Sequence, residues 1–147
     1  MSLCENCGLC CDGTFFAHVE VTPQELASIS TRVTLSEDWS LLLQPCSALE
    51  GCRCAVYENR PRICRAYRCA VLVDFEAGRL TEREARAQLE TVFAIRARLA
   101  AAVGEEDPRR AIQLARAQVA GGTASDAVYE LVRVLHEAAA HMQLPAR

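Results

Sequence analysis

The chain contains no lysine, and all sixteen of its basic residues are arginine. Schiff-base chemistry and a phosphate-loop lysine are excluded with it. It has no basic excess either. Sixteen basic against nineteen acidic residues give a formal charge of -3, which argues against a dedicated nucleic-acid binder. No apolar run approaches the roughly 20 residues that span a bilayer, so no membrane segment is expected. The opening Met1-Ser-Leu-Cys-Glu-Asn-Cys7 lacks a basic region and an apolar core. It is not expected to act as a secretory signal, and a cytoplasmic location is the expectation. Neither a serine–histidine–acid arrangement nor a paired-carboxylate motif can be read, so a hydrolase has no positive support and no reaction is assigned. What is present is one domain's worth of chain: 147 residues, 51% of them hydrophobic, enough for a core.

Nine cysteines stand out, all between Cys4 and Cys69. A disulfide scaffold would need an oxidising compartment, and nothing here directs export. Nine is odd, and a bridge between the adjacent Cys10 and Cys11 would be strained. Inert core packing does not suit four cysteines in eight residues, interrupted by Glu5, Asn6 and Gly8. Metal ligation by thiolates in a reducing compartment fits best. An iron–sulfur protein and a thiol–disulfide redox protein are the alternatives.

The fold class expected is mainly α with a minor β component. Residues 1–78 read as a cysteine-cluster metal-binding domain of short strands and helices, and 79–147 as a helical region packing on it. Thr14–Val21, β-branched and aromatic, reads as a strand. Thr22-Pro23-Gln24-Glu25 opens a helix with a capping box and proline at its first position. Ser36–Trp39 reads as the start of a short helix running to Leu43. Cys52–Tyr57 reads as a strand, and Arg60-Pro61 begins a helix carrying both Cys64 and Cys69 to a stop at Gly78. Thr81-Glu-Arg-Glu84 is a second capping box. Ala85, Leu89, Val92, Leu99 and Val103 mark one face of a long helix ended by Gly104. Asp107-Pro108 begins the next helix, and the last runs from Ser125 to Gln143. This tail is a packing scaffold or a homodimerisation surface.

Two cysteines separated by two residues can reach one tetrahedral ion. Cys4-Glu-Asn-Cys7-Gly8 has that form, and Gly8 can take positive φ to turn backbone N–H groups toward sulfur. Cys4, Cys7 and Cys10 together also make C-x-x-C-x-x-C, the ferredoxin pattern for a 4Fe–4S cluster. Cys10 and Cys11 diverge as neighbours, which suggests two adjoining sites or a polynuclear cluster. Cys46, Cys52, Cys54, Cys64 and Cys69 form a second set. Eight ligands fill two four-cysteine sites, and geometry alone leaves Cys52 and Cys54 equivalent. Arg53, Arg60, Arg62, Arg65 and Arg68 accompany this set, and read either as a solvated face or as donors to sulfur, Arg65 being the first candidate to turn inward. His136 and His141 read as surface residues, and His18 as an ordinary strand histidine rather than a ligand.

Four blocks in order, Cys4-x-x-Cys7-Gly8-x-Cys10-Cys11, Cys46-x-x-Leu49, Cys54-x-Val56-Tyr57 and Arg60-Pro61-x-x-Cys64-Arg65-x-Tyr67-x-Cys69, resemble the YkgJ-type cysteine-cluster family. The resemblance covers about residues 1–75 and implies chelation of zinc or iron, but no reaction. It implies eight ligands: Cys4, Cys7, Cys10, Cys11, Cys46, Cys54, Cys64 and Cys69. Cys52 has no counterpart. A related motif occurs in flagellin lysine methylases. This chain shows no glycine-rich strand-to-helix turn suited to a methyl-donor nucleotide, so that activity is not implied. Zinc is the preferred cofactor, with iron or a 4Fe–4S cluster as the alternative; the partners read are metal ions and, through the C-terminal helices, a second copy of the chain.

The second and third cysteines of this second set, Cys52 and Cys54, separate experimentally. Cys54→Ser should lose metal, because a neutral hydroxyl replaces a thiolate and the shell cannot close. Cys52→Ser should keep nearly full occupancy and stability. Metal content and thermal unfolding of the two variants, purified side by side under reducing conditions, check this.

Overall fold

A computed structural model describes residues 3–29 and 33–143. The chain divides into two units, Met1–Arg68 and Cys69–Arg147, each with its own core. Its mainly helical character is as expected, with strand confined to short pieces of the first unit. Among the described residues, no helix is long and apolar enough to cross a membrane.

The first unit is built from two small antiparallel pairs. β1 (His18–Glu20) pairs with β2 (Leu41–Leu43) in the register His18↔Leu43, Val19↔Leu42 and Glu20↔Leu41. β3 (Leu49–Glu50) and β4 (Arg53–Cys54) form a hairpin around Gly51-Cys52. Gly51 takes φ +61 there, which the first position of so tight a turn favours and a side chain opposes. α1 (Pro23–Leu26) starts as its residues dictate. Thr22 accepts from the Glu25 N–H at 3.4 Å, and the Glu25 carboxylate accepts from the Thr22 N–H at 2.9 Å. Val21, Leu26, Ile29, Leu42, Cys46, Ala48 and Val56 make the core, with Cys11, Val19, Leu35 and Cys54 packed against it.

Four local expectations change. The strand read over Thr14–Val21 is formed only at His18–Glu20, and that read over Cys52–Tyr57 only at Arg53–Cys54, with Tyr57 opening a 3-10 turn. The helix read from Ser36 to Leu43 is a turn followed by β2. Asp38 accepts from the Ser36 hydroxyl (2.6 Å), the Ser40 N–H (3.1 Å) and the Ser40 hydroxyl (2.8 Å). Such short polar side chains offer the backbone an alternative to a helix, and Trp39 takes φ +61 inside that turn. Cys64 and Cys69 do not share a helix. α2 (Arg62–Ala66) ends at Tyr67, which is extended at ψ 133, and α3 (Ala70–Glu76) starts afresh with Cys69 as its N-cap.

In the second unit the capping signals are realised closely. α4 spans Glu82–Val103, with Thr81 and Glu84 forming the reciprocal cap and Gly104 closing it at φ +71. Asp107 caps α5 (Pro108–Ala120), and Ser125 caps α6 (Asp126–Met142). The three helices pack on one another. They bury Ala85, Leu89, Val92 and Leu99 of α4, Ile112 and Ala115 of α5, and Val128, Leu131 and Leu135 of α6. This is the apolar face the heptad-like spacing marks.

Leu99 is fully buried, whereas Leu114 is 41% exposed. Leu99→Ala should destabilise the helical unit by about 2–5 kcal/mol, while Leu114→Ala should stay within about 0.5 kcal/mol. Urea unfolding followed by far-ultraviolet circular dichroism distinguishes them.

Candidate metal centre

The first four cysteines lie on one tight loop. Leu3–Asn6 is a 3-10 turn, and the Cys7 N–H donates to the Cys4 carbonyl at 3.3 Å. Gly8 takes φ +72 as expected. Its carbonyl then accepts the N–H groups of Cys11 (2.8 Å) and Asp12 (3.0 Å), so those amides close the loop rather than face sulfur. A Cβ at Gly8 would stand 3.4 Å from the Cys52 Cα. The loop therefore rests on the turn between β3 and β4, a close approach that suits glycine.

Cys46 is joined to this loop through the backbone: its N–H donates to the Cys11 carbonyl at 2.7 Å. The Leu49 N–H returns to the Cys46 carbonyl at 3.0 Å, and Leu49 is the register partner of Cys54. Cys46 and Cys54 are thus held on neighbouring strands of chain by one turn and one hairpin. Cys64 lies on α2. The first amide of that helix, Arg62 N–H, donates to Glu25 Oε1 at 2.6 Å. Glu25 therefore serves two helices, capping α1 and fixing the start of α2.

Burial and neighbouring groups act on three of these thiols. Burial pushes the Cys11 thiol well up, and the neighbouring sulfurs of Cys46, Cys54 and Cys64 add to it, followed by the Asp12 carboxylate. Burial likewise pushes the Cys64 thiol up to about 11, reinforced by Cys46 and Cys54 and opposed by the Arg60 guanidinium. Cys46 is raised by burial and by Cys54, against a hydrogen bond from the Ala48 backbone N–H that favours its thiolate. Desolvation and like charge both disfavour thiolate, so these sulfurs want a cation. Soft, partly buried sulfur donors of this kind suit zinc or iron. Among the described residues, no three His, Cys, Asp or Glu side chains are already drawn into a metal-holding arrangement.

Cys4, Cys7 and Cys10 are partly buried in the loop, and Cys52 is exposed. Cys69 belongs to the second unit, where its sulfur accepts the Leu72 N–H at 3.4 Å. Arg65 does not turn inward: it is exposed. The arginine acting on the Cys64 sulfur is Arg60. It lies 3.5 Å over the Tyr57 ring and donates from Nε to the Tyr57 carbonyl at 2.8 Å, which fixes its direction. His136 and His141 are exposed, as expected, and so is His18. Two contributors escape a spacing argument. Asp12 is a carboxylate only 2% exposed, accepting the Thr14 N–H at 2.7 Å beside Cys11. The other is Glu25, whose capping signal is legible but whose reach to Arg62 is not.

Comparison with known proteins gives one positive finding. The model of the CxxCxxCC family, described as a putative zinc- or iron-chelating domain, matches residues 3–91. That is more than half of the chain, and the chain belongs to this family. The match is to the cysteine-cluster (YkgJ-type) family whose motif blocks the sequence resembles, and it continues past the last cysteine into α4. No curated protein and no solved structure matches the chain.

Glu25 offers a test of how the site is held. Its carboxyl lies below the ordinary 4.5, chiefly because of the Arg62 backbone hydrogen bond and then those of Thr22. A depressed carboxylate contributes stability that is present above the unfolded value and lost as pH falls through the folded one. Glu25→Gln, a neutral analogue of the protonated acid, should therefore unfold at lower urea than wild type at pH 7. The gap should close as pH drops below about 4.5. Fluorescence of Trp39, the one tryptophan, reports the transition; a gap independent of pH would refute the role.

Proposed function

We propose that this protein binds zinc or iron through the thiolates of Cys4, Cys7, Cys10, Cys11, Cys46, Cys54, Cys64 and Cys69. Bound metal organises residues 1–78. The observation that supports this reading is that the partly buried Cys11 and Cys54 pack against the apolar cluster containing the buried Cys46, whose N–H donates to the Cys11 carbonyl at 2.7 Å. Without a cation, such thiols stay protonated. Binding a dication replaces those protons and supplies folding free energy to the segments that carry the ligands. Zinc is the preferred metal, because a closed shell of cysteines is its usual structural site.

The spacing Cys4-x-x-Cys7-x-x-Cys10 favours a second reading, an iron–sulfur cluster serving electron transfer, sensing or catalysis. A thiol–disulfide redox protein is less well supported. Reactive cysteines have lowered pKa values in electropositive surroundings, and here Cys11, Cys46 and Cys64 are pushed the other way. The protein carries no assigned reaction under either metal reading.

Elemental analysis with a visible spectrum, on untagged protein purified anaerobically, tests the proposal. Stoichiometric metal is expected: colourless protein for zinc, brown for an iron–sulfur cluster. A folded, metal-free preparation that takes up neither metal after reduction and reconstitution contradicts it.

A further inference from the structure

We infer that the cleft between α1 and the Ser36–Ser40 turn is a docking site for an arginine side chain of a partner polypeptide, with the guanidinium lying on the Trp39 indole and donating to Asp38. The inference concerns no cysteine and does not depend on the metal reading above.

The cleft has a volume of about 320 Å³. The buried Val21 and Leu26 form its floor, Pro23 lines it from α1, and Asp38, Trp39 and Ser40 line it from the turn. Trp39 is 61% exposed, and its φ of +61 is one that bulky residues rarely adopt. The turn holds it there. The Trp39 N–H donates to the Ser36 carbonyl at 3.0 Å, and the Ser40 carbonyl accepts the Val21 N–H at 2.9 Å, which fastens the turn to the floor. The Ser36 hydroxyl, the Ser40 N–H and the Ser40 hydroxyl all donate to Asp38 Oδ1. Strained backbone persists where surrounding bonds over-determine it, and such positions gather at ligand clamps.

Charge selects the occupant. Among the described residues that line the cleft, Asp38 is the charged one. Its hydrogen bonds, first from Ser36 and then from Ser40, hold its carboxyl down at about 2, so it is anionic at neutral pH. Because the three donors all fall on Oδ1, Oδ2 is available as an acceptor. The Ser40 hydroxyl spends its proton on Asp38 and offers its lone pairs beside that oxygen. Two acceptors next to an indole face suit a planar fork of donors, which stacks and bonds at once, better than the point charge of an ammonium. The methylene stem of arginine has Val21 and Leu26 to lie on. An anion would be repelled by Asp38, and a neutral apolar group would strip water from Oδ2 and return no hydrogen bond. A small-molecule site buries most of its ligand, whereas a cleft of this size, with an exposed indole at its rim, takes one side chain and leaves the remaining contact to the chain that carries it.

The test titrates the full-length protein with N-acetylarginine methylamide, the near-isosteric but neutral N-acetylcitrulline methylamide, N-acetyllysine methylamide and butylguanidinium. Nuclear magnetic resonance follows the Val21 and Leu26 methyls and the Trp39 indole. The blocked arginine should shift these signals saturably, with the citrulline analogue about tenfold weaker and the lysine analogue between them. Asp38→Asn keeps an acceptor for Ser36 and Ser40 and should abolish the preference for arginine over citrulline. Trp39→Ala, at an exposed position, should weaken the blocked arginine about fivefold. Equal binding of the arginine and citrulline analogues to wild type, or shifts outside the cleft, overturns the inference, and that comparison needs no variant to fold. Butylguanidinium binding without the blocked arginine overturns the polypeptide occupant in favour of a free small cation.

Discussion

Thiols that repel one another as thiolates, held in the core of a small unit, set the terms for the first 68 residues. Burial disfavours the thiolates of Cys11, Cys46 and Cys64, and neighbouring sulfur, Cys54 in each case, adds to it. The secondary structure around them has little independent strength. Its strand pairs are two and three residues long, and an isolated pair of strands is marginal in water. Seven buried residues form the apolar cluster, and Cys46 is one of them. A core that small supplies only a few kcal/mol, and small natural domains commonly add a metal or disulfides to it. A dication bound by these sulfurs would remove the electrostatic conflict and cross-link the N-terminal loop, the Cys46 turn, β4 and α2 in one act.

The second unit depends on no such device. Its helices run 22, 13 and 17 residues, each begins with a side-chain cap, and their apolar faces meet one another. Exposed ion pairs such as Arg86–Glu82 and Arg133 with Glu130 and Glu137 decorate the outside. Pairs this exposed contribute little, so burial of residues such as Leu99 and Ile112 carries the stability. Capping boxes, glycine stops and helical periodicity are local signals, which is why α4, α5 and α6 were legible from residue order.

The first unit was less legible because its geometry comes from distant partners. Leu41, Leu42 and Leu43 look like the end of a helix until Val19 and Glu20 are found beside them. The helix expected to carry Cys64 and Cys69 breaks at Tyr67, whose ring meets Phe16 edge-on at 4.9 Å. Nothing between residues 60 and 69 announces that contact. At the candidate site, the cysteine spacing pointed to metal ligation, yet nothing in it foretold the hydrogen bond from the Cys46 N–H to the Cys11 carbonyl. The guanidinium near Cys64 likewise proved to be Arg60 rather than Arg65. Stacking on Tyr57 aims Arg60, whereas Arg65 lies on the open side of a short helix.

X-ray absorption at the zinc or iron edge of the loaded protein tests most directly whether sulfur holds the metal. The account predicts a first shell of about four sulfurs near 2.3 Å for zinc, with no histidine nitrogen. A shell made mainly of nitrogen and oxygen would contradict it, because His18, His136 and His141 and the carboxylates have no part in the proposed centre.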